Sequence, residues 1–295
     1  MSCPDCFRGG VTTTHPTGTE TTIHGLRTYV AQPKDGITPK GIIVIITDAF
    51  GWEFPNNRVL SDHYAKKGGF LVYCPDFMNG NSLDPRAIGL MDKIMEPAPF
   101  WSASLYKPVH VVQAMTLAVP WKMKSSIPKT KDRVLAFFQA LRTSPPPFPT
   151  KNLKIGAAGF CWGGKHTMIL AQDAPDSRVQ RHESQLNVKE PAPLLDCAFT
   201  AHPSYIEVPG DIEAITIPTS VAVGDEDMAM KAPQIQLMKE TFEAKKSGNF
   251  EVVIMPGAKH GFAVRTHPKD KHEVECAEKA ETQAIEWFTR WLSES

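Results

Sequence analysis

The chain carries no surplus of either charge: 32 Lys and Arg face 32 Asp and Glu in 295 residues. A polyanionic partner calls for a basic patch, so nucleic acid is not an expected partner. No apolar run approaches the roughly 18 residues that a membrane span needs, so no membrane partner is expected either. Cysteine is sparse, at Cys3, Cys6, Cys74, Cys161, Cys197 and Cys276. That density excludes a disulfide scaffold and predicts a reduced, cytoplasmic protein. The opening residues MSCPDCFRGGVTTTHPTGTE lack the apolar core of a secretory signal. No internal repeat is present. What remains is one domain over 1–295, long enough to bury a large core without disulfide or metal support.

Six apolar, β-branched runs stand out: 41–48 (GIIVIITD), 69–76, 153–160, 194–202, 218–225 and 250–257. Near-continuous apolar runs fit strands covered on both faces. Between them lie helical patterns over 56–68, 131–144 and 232–248, and a final amphipathic stretch from Lys271 with Ala277, Ala280, Ala284, Trp287, Phe288 and Trp291 on one stripe. Strands alternating with helices predict an α/β fold with a doubly wound, mostly parallel sheet flanked by helices. Three segments stand apart. Residues 1–22 read as an N-terminal arm. Residues 77–130 are rich in Pro, Met, Trp and Ser without a clear period, and are expected to form a lid over the strand ends or a surface elaboration with its own small core. Residues 173–193 read as a surface loop. Cys3 and Cys6 form an isolated C-x-x-C pair with no second ligand pair, so a metal site is not expected there.

The stretch 156–164, GAAGFCWGG, places Gly159-Phe160-Cys161-Trp162-Gly163 between an apolar run and a helical pattern. G-x-C-x-G is a thiol version of the strand–turn–helix motif that lifts a nucleophile above a sheet, where crowding demands small residues on either side. A helix N-terminus behind the thiol lowers its pKa, and the N–H of Trp162 can face an oxyanion. A buried structural cysteine in a glycine-rich turn has the same local sequence. Downstream, Asp227 follows the run at 218–225 and His260 follows the run at 250–257. The order nucleophile, acid, histidine suits a triad in which the carboxylate orients the base. Asp225 and Glu226 neighbour Asp227 as further acids. His202, also at a strand end, is a rival base placed out of order and is read as a pocket residue. After the first run, Ala49 can supply a second oxyanion N–H, and Asp48 would project near Cys161, where like charge disfavours a thiolate.

In DAFGWEFPNNR (48–58), CPDF (74–77), GFCWGG (159–164), GDED (224–227) and HGFAVR (260–265), the sequence resembles the dienelactone hydrolase (carboxymethylenebutenolidase) family. The resemblance runs from about residue 25 to the end. It implies an α/β-hydrolase fold and a Cys-His-Asp triad of Cys161, His260 and Asp227, with Trp162 and Ala49 as oxyanion-hole donors. It implies a small-molecule ester or lactone as substrate, a thioester acyl-enzyme, and neither metal nor organic cofactor. Asp48 falls where bacterial members carry a thiol-gating glutamate. Arg265 resembles an arginine that binds a substrate carboxylate. Phe50, Trp52, His202, Trp101, Trp121 and Trp162 are read as pocket lining. Monomer and homodimer are both open. An acyltransferase, an enzyme opening a specialised lactone or epoxide, and a non-catalytic binding protein are the alternative readings.

Overall fold

The computed structural model describes residues 9–95, 99–267 and 269–293. Cys3 and Cys6 lie outside the described residues, as does the side chain of Trp101. In chain order the elements are β1 (Thr19–Ile23), β2 (Leu26–Ala31), β3 (Ile42–Ile46), α1 (Pro55–Gly68), β4 (Leu71–Pro75), α2 (Arg86–Met95), α3 (Phe100–Lys124), α4 (Ile127–Thr143), β5 (Ile155–Phe160), α5 (Trp162–Ala171), β6 (Cys197–Ala201), α6 (Gly210–Glu213), β7 (Thr219–Gly224), α7 (Ala232–Ala244), β8 (Phe250–Met255) and α8 (Lys271–Leu292). The strands form one eight-stranded sheet in the order β1-β2-β4-β3-β5-β6-β7-β8. Strands β3 to β8 run parallel to one another, and β1 and β2 are antiparallel additions at one edge. All six apolar runs of the sequence are strands.

The core follows from that topology. Every residue of β3, Ile42 to Ile46, has zero exposure, because helices cover both faces of the central strands. Each such side chain contributes about 1.5–3 kcal/mol on burial. In β5 the two faces can be told apart by parity. A methyl group at Gly156 would strike Phe288 of α8, and one at Gly159 would strike Thr167 of α5. Three residues of separation turn these two positions to opposite faces of the sheet. Helices α1 and α8 therefore pack on one face and α5 with α4 on the other.

Residues 77–130 differ from the aperiodic segment expected. They hold α2, α3 and the first turn of α4. Pro108 and Pro120 lie inside α3 and interrupt its sequence pattern, yet the backbone stays helical through both. The end of this excursion returns to the body: Trp121 is buried, and the Trp162 indole N–H donates to the Ser125 carbonyl at 2.7 Å. The Trp162 ring meets His166 edge-on at 4.4 Å, and His166 Nε2 lies 2.9 Å from Thr130 Oγ1 on α4. The described part of the N-terminal arm lies along the loop after β8. Gly10 N donates to the Arg265 carbonyl, and Asn56 Nδ2 donates to the carbonyls of Gly10 and Val264. No helix of the described residues is long and apolar enough to cross a membrane.

Burial pushes the His166 pKa down to about 3. An unfolded histidine titrates near 6.5, so between those values the unfolded chain binds the extra proton and stability falls as the pH falls. His166→Gln is expected to remove up to about 1.4 kcal/mol per pH unit from that slope, read by urea unfolding across the window. Equal slopes in the two proteins would contradict the assignment.

Candidate active site

The parallel register sets five strand ends side by side. Ile46 pairs with Gly159, Phe160 with Ala201, and Gly224 with Met255. The loops that follow carry Asp48 and Ala49 after β3, Cys161 after β5, His202 and Ser204 after β6, Asp227 after β7 and His260 after β8. Ligands bind open α/β sheets at this edge.

Cys161 has φ 51° and ψ −111°. A non-glycine residue in that region is strained by about 1–3 kcal/mol. The strain arises because the chain turns from β5 into α5 without a linker, leaving Cys161 as the N-cap. The turn is so tight that a methyl group at Gly159 would lie 2.1 Å from Thr167 Oγ1, and one at Gly163 would lie 1.9 Å from the Ile46 carbonyl oxygen. These contacts explain why glycine stands at both positions.

His260 Nδ1 lies 2.9 Å from both carboxylate oxygens of Asp227, and both side chains are fully buried. Asp227 also accepts the Ala229 N–H at 2.7 Å, which fixes the carboxylate. With Nδ1 turned to a carboxylate, neutral His260 carries its proton there and presents Nε2 as an acceptor. Nε2 is 3.3 Å from Ser204 Oγ, and Ser204 Oγ is 3.5 Å from Cys161 Sγ. Cys161, Ser204, Asp227 and His260 are all buried, at 2–4 % exposure. Ser204 is absent from the residues that the sequence singles out. Its one signal is position, two residues after the strand-end His202.

His202 makes no hydrogen bond through either ring nitrogen among the described residues. Its ring stands edge-on to His260 at 5.0 Å, flanked by Phe262 at 5.6 Å. Burial, and then the nearby His260 and Arg265, push its pKa well below the ordinary value. It is a neutral packing partner of His260. Burial likewise raises the thiols of Cys197 and Cys74, the latter to about 12.

Asp48 and Arg265, two residues expected to meet thiol and substrate, meet each other. Arg265 Nη1 donates to Asp48 Oδ2, and both side chains have zero exposure. Asp48 Oδ1 accepts from Phe50 N at 3.2 Å and from Asn57 Nδ2 at 3.1 Å. The guanidinium lies over the Phe50 ring at 5.2 Å and fills the space above Gly261, where a methyl group would be 2.3 Å from Arg265 Nη2. This pair ties the loop after β3 to the loop after β8. Trp52 is buried with the guanidiniums of Arg27 and Arg58 each 4.7 Å from its ring centre. Phe50 packs on Phe54 at 5.1 Å. A cleft of about 840 Å³ between β8 and α8 touches none of Cys161, Ser204, Asp227 and His260. No cluster of His, Cys, Asp and Glu among the described residues has metal-binding geometry.

Residues 26–292 match the model of the dienelactone hydrolase family. A Talaromyces stipitatus protein named hydrolase tropI is 26% identical over 294 residues, covering 100% of this chain and 97% of its own. The carboxymethylenebutenolidase homolog of Xenopus tropicalis is 24% identical, covering 94% of this chain and 92% of its own. The crystal structure of a candidate dienelactone hydrolase from Klebsiella pneumoniae superposes with a TM-score of 0.61 at 18% identity, over 93% of this chain and 99% of that one.

Removing one partner of a buried ion pair strands the other charge and costs about 3–5 kcal/mol. Arg265→Met is expected to lose that much stability in urea unfolding. Adding Asp48→Asn to it should return part of the loss. Additive losses would show that the two side chains do not act as a pair.

Proposed function

The chain belongs to the dienelactone hydrolase family and is a carboxylic ester or lactone hydrolase, and from that premise we propose that it works through a Cys161–His260–Asp227 triad and a thioester intermediate. The observation that carries this reading is the Asp227–His260 pair, completely buried and hydrogen-bonded at 2.9 Å, with His260 Nε2 on the far side of the ring 3.3 Å from Ser204 Oγ, which in turn lies 3.5 Å from Cys161 Sγ in the strained turn.

Asp227 holds His260 in the tautomer whose Nε2 can take a proton and stabilises the imidazolium once formed. The Cys161 thiolate, at the positive end of α5, attacks the acyl carbon. The N–H groups of Trp162, first residue of α5, and Ala49, just beyond β3, receive the oxyanion; losing one such donor costs about 10²–10³ in turnover. His260 returns its proton to the departing alcohol or enol oxygen. Water then adds to the thioester carbonyl and releases the acid and the thiol.

Asp48 and Arg265 act as a pair in the resting enzyme. With Arg265 opposite it, Asp48 carries a balanced charge beside the thiol loop. A substrate carboxylate that competed for Arg265 would unbalance it, which links acid recognition to thiol ionisation. Phe50, Trp52, His202 and Trp121 line or back the acyl pocket. With Cys161 at 2 % exposure, the helical excursion at 77–130 serves as a lid, hinged where Trp162 is bonded to Ser125.

A panel of lactones and aryl esters assayed with wild type and Cys161→Ala tests this reading. Cys161→Ala is expected to lose at least about 10³-fold in kcat while keeping the wild-type circular dichroism spectrum, since loss of a triad nucleophile leaves only binding and oxyanion stabilisation. Hydrolysis at the wild-type rate by that variant refutes the thiol mechanism.

A further inference from the structure

The loop after β6 contributes more than a wall. Ser204 N donates to the Cys161 carbonyl oxygen at 2.9 Å, so the serine is fastened to the nucleophile's own peptide. His202 and Tyr205 on either side of it have φ of 39° and 63°, in the left-handed region that non-glycine residues avoid. Two such residues around Pro203 bend the chain so that Ser204, at 4 % exposure, points between Cys161 and His260. The ring of His202 supports the same imidazole from its edge.

The hydroxyl's hydrogen bonds have a direction. Asp227 claims the Nδ1 proton of His260, so Nε2 is an acceptor and Ser204 O–H donates to it. A Ser204 lone pair then faces the thiol, and Cys161 S–H donates to that oxygen. We infer that Ser204 is the proton relay between Cys161 and His260, a fourth member of the catalytic group; this rests on Cys161 being the nucleophile. In the forward step the Sγ–H bond breaks and a new Oγ–H bond forms, while the old Oγ–H bond breaks and an Nε2–H bond forms. The serine ends neutral, the thiol a thiolate and the imidazole an imidazolium. The same hydroxyl, turned round, now donates to the thiolate and accepts from Nε2–H, which stabilises the ion pair. Distances of 3.3 Å and 3.5 Å suit a resting chain that tightens when substrate binds.

The test uses the full-length wild type, Ser204→Ala, Ser204→Thr and Cys161→Ala. Iodoacetamide alkylation of Cys161 is followed against pH, and kcat and KM are measured for p-nitrophenyl acetate. Losing a hydrogen bond to the thiolate is expected to raise the alkylation midpoint of Ser204→Ala by about one pH unit. Its kcat is expected to fall by about tenfold to a hundredfold, with KM changed by less than about threefold. Ser204→Thr, which keeps the hydroxyl, should return to within a few fold of wild type. On wild type alone, kcat in mixtures of light and heavy water should bow downward, as two protons in flight require. A linear dependence, or a Ser204→Ala protein with unmoved midpoint and kcat, overturns the relay. If Cys161→Ala is inactive in that case, the thiol mechanism stands without it. If Cys161→Ala keeps turnover, mechanism and relay fall together.

Discussion

The structure depends on the parallel register of β3 through β8. Because these six strands point the same way and end in line, the loops after β3, β5, β6, β7 and β8 leave the sheet at one end and their side chains converge. Register also explains the crowding. With Ile46 beside Gly159, α5 must start against the end of β3, and only a hydrogen at Gly163 fits beneath the Ile46 carbonyl. The strain at Cys161, His202 and Tyr205 sits where the strands end and is held there by the surrounding core.

Charge in this region is handled by pairing rather than by solvent. Asp227 meets His260, and Arg265 meets Asp48, each with side chains wholly removed from water. His202, which has no such partner, stays neutral. The two pairs have different work. One fixes the ring of His260; the other links the loop bearing Ala49 to the loop bearing His260, so the positions of these two loops are not independent. Gly10 and Asn56 brace the backbone at Val264 and Arg265 on one side of that link, which ties the start of the described N-terminal arm to the loop after β8.

Much of this was legible in the sequence because burial on two faces writes itself as continuous apolar runs, and six such runs became the parallel strands. The family was legible through short motifs at their ends. The hairpin of β1 and β2 was not: Thr19 to Ile23 is mostly exposed and threonine-rich, and β2 is a short run whose first two residues, Leu26 and Arg27, are not buried. Helix α3 was hidden by Pro108 and Pro120, which mark helix ends in most contexts. Asp48 and Arg265 could be named as site residues, but residues 217 apart carry no local sign that they will pair. Ser204 was missed for a similar reason. A serine in a turn is common, and its meaning comes from lying between two residues 43 and 56 positions away.

The proposed chemistry has one intermediate that separates it from any mechanism without a thiol nucleophile. A single-turnover mixture of the enzyme with p-nitrophenyl acetate, quenched in acid, digested and read by mass spectrometry, should show one acetyl group on the peptide containing Cys161, released by neutral hydroxylamine as a thioester is. Acetylation of Ser204, or release of nitrophenol with Cys161 unmodified, would contradict the thiol mechanism.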